Sequence, residues 1–253
     1  MKILLAAAQE AETLFILPAK AISRFALLGQ PIVPLVTAKD GNLLRDLPSE
    51  PCMIEFDGWD DGLYRQVQDR FPKAVICLRL DSVSKQELLQ YFRIGVRVFH
   101  LATNYHGRGQ DGRFVLDLIR EVHSAFIDAG CRDEVTLLGG GGIVAAEHVP
   151  KAIICGLDAV VLDTPLLIAL QAQFLGECAD RQASRFQLPP TLKTHWGVQR
   201  IKNLLASWRD QLLEVLGAMG LREVRRLRGE MGRAMFQADL EREAFSGIEG
   251  YGA

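Results

Sequence analysis

Four consecutive glycines, Gly139-Gly140-Gly141-Gly142, stand between the apolar run Val135-Thr136-Leu137-Leu138 and an amphipathic stretch that begins at Ile143. A backbone without Cβ can approach a phosphate closely and aim N–H groups at it, and a helix starting directly after the glycines would add its positive end. The same run also serves as a tight strand-to-helix turn that holds no ligand. Further along, Asp163-Thr164-Pro165 closes another apolar run. Thr164 can donate to a phosphate, whereas a carboxylate beside a phosphate is repulsive, and Asp followed by Pro is also what the start of a helix prefers. Other polar residues sit at the ends of apolar runs: Glu55 and Asp57, Arg79 and Asp81, and the segment His100-Leu101-Ala102-Thr103-Asn104-Tyr105-His106. His106 and Glu55 are the acid/base candidates, His106 because it lies on a polar loop. His100, inside an apolar run, reads first as a hydrogen-bonded core histidine.

The elements that must position these residues are short continuous apolar runs at residues 3–8, 31–37, 51–57, 74–80, 95–102, 134–138 and 158–162. Continuous rather than alternating runs suit strands covered on both faces, as in a parallel sheet. Between them, residues 63–71, 84–94, 113–129 and 145–155 carry apolar residues at three- and four-residue spacing, the pattern of amphipathic helices. Strand and helix in alternation specify α/β architecture with βαβ units, and a TIM-type (β/α) barrel is favoured over a doubly wound sheet. Seven runs fall one short of the eight strands of a closed barrel. Three readings follow: a strand hidden at residues 14–17, a barrel open on one side, or a barrel completed by a partner. In any of them the candidates above lie at the C-terminal ends of strands, where parallel barrels place their sites. Residues 105–113, with three glycines and two arginines, have the composition of a lid over that mouth, or of a plain surface connection.

After Pro189-Pro190 the strand-like runs stop. The division is a barrel domain at 1–189 and a C-terminal helical extension at 190–253. Residues 198–236 read as two or three helices, the first carrying the stripe Val198, Ile201, Leu204, Leu205, Trp208, Leu212, Val215 and Leu216 that packs it on the barrel. Gly217 and Gly220 mark its end. Arg222, Arg225, Arg226 and Arg228 follow, beside Leu221, Val224 and Leu227; a solvated or inter-subunit face is the preferred reading over a nucleic-acid helix.

Across 253 residues, 29 Lys and Arg against 31 Asp and Glu leave a formal charge of −2, so no overall field draws nucleic acid or an anionic membrane. No uncharged apolar run reaches the roughly 18 residues of a membrane span. Cysteines 52, 77, 131, 155 and 178 are scattered and form no C-x-x-C pair, which argues against a disulfide framework and fits a reducing cytoplasm. His123, His148 and His195 lie apart without paired ligands, so no metal site is expected.

The segment from Gly140-Gly141-Gly142-Ile143 through Pro150-Lys151-Ala152-Ile153-Ile154-Cys155-Gly156-Leu157-Asp158-Ala159-Val160-Val161-Leu162-Asp163-Thr164-Pro165-Leu166-Leu167-Ile168-Ala169-Leu170 resembles the FMN-binding barrel of the glutamate synthase family. Trp196-Gly197-Val198-Gln199-Arg200-Ile201-Lys202-Asn203 and Glu214-Val215-Leu216-Gly217-Ala218-Met219-Gly220 resemble the helices that follow it, especially in stand-alone glutamate synthase-related proteins. The resemblance runs over about residues 74 to 240. It implies a flavin-dependent oxidoreductase in which Gly140, Gly141 and Gly142, with Asp163 and Thr164, hold the FMN phosphate. Arg79 corresponds by position to a lysine near the flavin ring, where a cation stabilises the reduced anionic flavin. Two departures matter. The family's Gly-Thr is Asp163-Thr164 here, and its cluster-ligating cysteines are reduced to Cys178, so no iron–sulfur cluster is expected within this chain. Ahead of the barrel stand few residues, with Lys2 where the family has a cysteine nucleophile, so the resemblance leads us to expect glutamine hydrolysis on another chain.

The leading reading is a glutamate synthase-like, FMN-dependent oxidoreductase barrel that reduces a small 2-iminoglutarate-type substrate with separate redox and ammonia-donating subunits, or as a homo-oligomer. The second is a degenerate barrel without flavin, serving as a structural or regulatory subunit of a redox complex. A third is a flavin-free enzyme for a phosphorylated metabolite, with His106 or Glu55 as acid/base.

Overall fold

The computed structural model describes residues 1–27, 29, 31–176 and 185–230. Seven parallel strands lie side by side in chain order: β1 (Phe15–Pro18), β2 (Ile32–Val36), β3 (Met53–Asp57), β4 (Val75–Leu80), β5 (Val98–Ala102), β6 (Thr136–Gly140) and β7 (Ala159–Val161). Among the described residues no strand joins β7 to β1, so the barrel is open on that side.

The count of seven stands, but its membership changes. Residues 3–8 are not a strand: they belong to helix α1 (Lys2–Glu10). Alanine-rich sequence favours a helix, and Ile3, Leu4 and Ala7 at helical spacing pack in one cluster with Val198 and Ile201. The first strand is the one hidden at 14–17, which pairs residue for residue with β2 from Phe15↔Ile32 to Pro18↔Leu35.

Helices α2 (Ala19–Phe25), α3 (Asp61–Arg70), α4 (Lys85–Ile94) and α5 (Val115–Asp128) cover one face of the sheet. Their Ile22, Val67, Leu88 and Phe126 share a core with Ile54, Phe56, Leu78, Phe99 and Leu137 of the strands. Burying one such side chain contributes about 1.5–3 kcal/mol. Because side chains alternate along a strand, the residues between these point to the opposite, inner face. There Val33, Met53 and Cys77, with Ile16, Val98 and Leu138, form a second, smaller apolar cluster. Ser84 and Glu87 start α4 with a reciprocal capping box, and Gly95 at φ 114° ends it.

Helices α6 (His148–Ile154) and α7 (Thr164–Ala169) follow β6 and β7. Where an eighth strand would close the barrel, the chain forms an antiparallel hairpin, β8 (Gln173–Leu175) with β9 (Arg185–Gln187). The expected two or three tail helices are, within the described residues, one long helix α8 (Thr194–Ala218) and a 3-10 turn at Val224–Leu227. Gly220 at φ 68° lies just past the helix end. At Gly197 an added Cβ would come within 2.9 Å of Ile3 and 3.1 Å of Leu170, so α8 presses directly on α1 and the end of α7. Leu227 is fully buried. Cys178 and Phe236 lie outside the described residues, and the cysteines at 52, 77, 131 and 155 are unpaired thiols. No described helix is long and apolar enough to cross a membrane.

One polar network ties the tail to the strands. Arg132, buried, donates to Nδ1 of His123 at 2.9 Å, to the carbonyl of Gly156 at 2.7 Å and to Asp158 at 2.9 Å. Arg228 of the tail reaches the same Asp158 at 2.6 Å, and Asp158 accepts the backbone N–H of Leu137. This is the structural use of one arginine from the basic tail segment. Burial, reinforced by Arg132 and Arg228, lowers the pKa of His123 below its ordinary value of 6.5. The unfolded chain therefore takes up the proton first, and stability that is complete above pH 6.5 is lost as the pH falls below it. Protonation at Nδ1 would also remove the acceptor of the Arg132 hydrogen bond. Urea unfolding between pH 7.5 and 5 is expected to show this decline, and His123→Gln, which keeps an acceptor but cannot titrate, should flatten it; an unchanged slope in the variant would refute the assignment.

Candidate functional site

On the inner face the strand register sets the rows. Glu55 pairs with Cys77, which pairs with Val98; one step toward the C-terminal ends, Asp57, Arg79, His100 and Leu138 are aligned; one step further, Ala102, Gly140 and Val161. Three of the polar candidates meet here. Glu55 is fully buried and its Oε1 lies 2.9 Å from Nδ1 of His100 and 3.8 Å from Nη1 of Arg79. His100 is 2% exposed, and of the three only Arg79 reaches the surface, with 18% of its side chain accessible. Since a carboxylate beside a guanidinium can only accept, the shared proton of the Glu55–His100 bond sits on Nδ1. Cys77 lies beneath: burial, then the Glu55 charge, raise its pKa well above the ordinary value, which keeps it a thiol.

Glu55 was a candidate acid or base at a substrate. The structure places it under Arg79, closed off from the mouth, because its carboxylate turns inward to His100. Reading the sequence pointed to each residue but not to the pair; a lone acid and a lone histidine, each at an inward position of an otherwise apolar strand, are the available signal.

The glycine run divides between two elements. Gly139 and Gly140 belong to β6, and only Gly141 and Gly142 turn, at φ 103° and 69°, a region that favours glycine. Each is also crowded. A Cβ on Gly140 would lie 3.1 Å from Val161 and 3.2 Å from Nε2 of His100; on Gly141, 2.2 Å from Oγ1 of Thr103 and 2.7 Å from the carbonyl of Asn104; on Gly142, 2.9 Å from Cα of Gly107. The turn is thus built against the β5 loop, and Thr103 donates both N–H and Oγ1 to the carbonyl of Gly140. The expected helix directly after the glycines is corrected: α6 starts at His148, five residues on, with the Val144 N–H bonded to Nδ1 of that histidine. A seven-residue helix at that distance adds no positive end to the turn.

Asp163 caps α7, accepting the Thr164 N–H at 2.5 Å with Pro165 in the first turn; Thr164 is buried at the same helix start. Val144 and Ala145 after the turn and Pro165 after the cap line an open cleft of about 450 Å³ together with Arg200, Asn203 and Trp208 of α8. Arg200, which the sequence offered only as part of the tail, donates to the carbonyl of Ala169 at 2.5 Å. His106 is exposed on the loop, its backbone N–H bonded to Oδ1 of Asn104. That loop is ordered by Asn104, which also accepts from Arg108, and it spans the strand ends: a Cβ on Gly109 would lie 2.5 Å from the carbonyl of Asp81 beyond β4. Tyr105 meets Phe174 of the hairpin edge-on at 6.1 Å.

Together these features define an open parallel (β/α) barrel whose strand ends carry a half-buried cation and a closely packed glycine turn. Its fold is that of mandelate oxidase. The complex of that enzyme with (S)-2-phenylpropionate superposes at a TM-score of 0.62 and 14% identity over 90% of this chain and 71% of the other. A mandelate oxidase variant with a monooxide FMN adduct does so at 0.62 and 15%, over 90% and 72%. Residues 102–222 match the conserved region in glutamate synthase, and that half of the chain is related to archaeal-type glutamate synthases. The archaeal glutamate synthase (NADPH) of Methanocaldococcus jannaschii is 31% identical over 121 residues, 46% of this chain and 24% of that protein. The archaeal-type enzyme of Thermotoga neapolitana is 35% identical over 117 residues, 44% and 23%. The chain thus spans about a quarter of the length of the curated relatives it matches.

Two features fit a flavin in kind: a guanidinium on the inner face, 3.8 Å from a buried carboxylate, and a glycine turn at the end of β6 whose Gly142 is partly exposed. Crowding by Thr103 and Asn104 decides the cost of altering that turn. Gly141→Ala puts a methyl into two backbone carbonyls and a hydroxyl at a φ that L-residues avoid, so a loss of about 2 kcal/mol or more in urea unfolding is expected; a neutral result would show that the β5 loop does not pack as described.

Proposed function

We propose that the chain is an FMN-binding oxidoreductase barrel of glutamate synthase type, working with separate redox and ammonia-donating subunits on a 2-iminoglutarate-type substrate. The observation that supports it best is the half-buried Arg79 at the end of β4, paired with a buried carboxylate on the inner face of a barrel with the mandelate oxidase fold. When bound, FMN supplies reversible hydride transfer. Arg79 would face the ring and stabilise negative charge on it, since a guanidinium stays charged at every working pH. The backbone at Gly141 and Gly142, with the Thr164 hydroxyl, would take the phosphate, and the loop from Asn104 to Arg113 would limit water at the strand ends. Asp163 serves this arrangement as the cap of α7, which turns its charge toward the Thr164 N–H.

A barrel that has given up flavin for a structural or regulatory role is the second reading, favoured by how fully Thr103 and Asn104 fill the space beside Gly141. The visible spectrum of the purified chain, followed by titration with FMN, separates the two. Bands near roughly 370 and 450 nm, or saturable binding that Arg79→Leu weakens about tenfold, are expected. A colourless chain that ignores added FMN moves the assignment to the scaffold.

A further inference from the structure

An arginine has several rotatable bonds, and a guanidinium that is merely nearby gives a ligand little. Arg79 is held from below. Glu55 beneath it is fully buried and lies on β3; His100, on β5, reaches across β4 to the same Oε1. The imidazole is bonded at Nδ1 to Glu55, and its Nε2 faces Gly140, where an added Cβ would stand 3.2 Å away. Among the described residues neither Nε2 of His100 nor Oε2 of Glu55 has a hydrogen-bond partner. Two buried polar atoms without partners are costly in a native fold, so simple stability does not account for the pair.

We propose that Glu55 and His100 are positioning residues that hold the Arg79 guanidinium at the mouth of the barrel and join it through the His100 ring to the backbone of Gly140, where the glycine turn begins. One contiguous path, Arg79 to Glu55 to His100 to Gly140, thereby links the cation on β4 with the turn after β6, the two ends of a site for one elongated anionic ligand. The carboxylate supplies the charge that orients the guanidinium, and the imidazole fixes the carboxylate. Neither residue touches the ligand, and both act through Arg79. The part of this that concerns flavin rests on the reading above; the restraint of Arg79 does not.

The test therefore has an arm without flavin. In the full chain free of FMN, NMR relaxation of the Arg79 Nε–H group is expected to report a side chain about as rigid as the backbone. His100→Leu and Glu55→Gln should release it, while His100→Asn, whose amide can still donate from near the Nδ1 position, should keep it restrained. Circular dichroism establishes that each variant is folded, and the Asn variant keeps the comparison available if Leu is not tolerated. In the second arm His100→Leu weakens FMN binding about tenfold in the parent chain, and shifts the flavin reduction potential downward, but changes affinity less than about twofold when Arg79 is already Leu. An Arg79 side chain as mobile in the parent as in the variants, or a His100→Leu effect that persists undiminished without Arg79, overturns the proposal. A chain that ignores FMN yet loses the restraint on substitution sinks the flavin reading and leaves the positioning role standing.

Discussion

A carboxylate with no access to water must be neutralised and hydrogen-bonded within the protein, and Glu55 imposes that demand on three adjacent strands. β3 supplies the acid, β4 the guanidinium and β5 the imidazole. Parallel register is what allows it: Arg79 and His100 are aligned one step beyond Glu55, so a side chain from the lower row can meet both. A slip of one residue in β3 would send the acid into the helix-facing core beside Leu78 and turn Phe56 to the inner face. The inner face is therefore polar toward the strand ends and apolar below, where Val33, Met53 and Cys77 close it. That division places the buried polar groups of this open barrel toward the C-terminal ends of its strands.

The second constraint is space. At the end of β6 the chain must pass Leu157, Val161, Thr103, Asn104 and Gly107 in four successive residues, and at Gly141 and Gly142 backbone contacts below 3.0 Å and positive φ demand glycine. The run is explained by packing between neighbouring loops, with Gly140 and Gly141 buried beneath the β5 loop. Both demands act on one small region, which is why the β5 loop, the β6 turn and His100 form a single unit. On the opposite end of the sheet Arg132, Asp158 and Arg228 do the corresponding work for stability, and the tail is joined to the strands through that network.

Much of this was legible in the residues. Six of the seven apolar runs are strands, the amphipathic stretches are helices, and Asp163 with Pro165 starts a helix as such residues do. Those features are local: period, propensity and cap chemistry act within a few residues. The run at 3–8 misleads because a short apolar segment has the same composition as a buried strand or a packed helix, and α8, almost two hundred residues away, decides which. The helix after the glycines starts only at His148.

What the sequence by itself determined is the parallel α/β architecture and the kind of chemistry its strand ends offer: a cation, a bare turn and a polar loop. Tertiary structure alone decided which of those residues meet. Glu55 and His100 are 45 positions apart, Arg228 and Asp158 are 70, and no local pattern encodes such pairs. They arise from strand register and from the way the tail returns to the barrel, because the low dielectric of the interior makes an unpartnered charge costly and so selects the fold that brings opposite charges together.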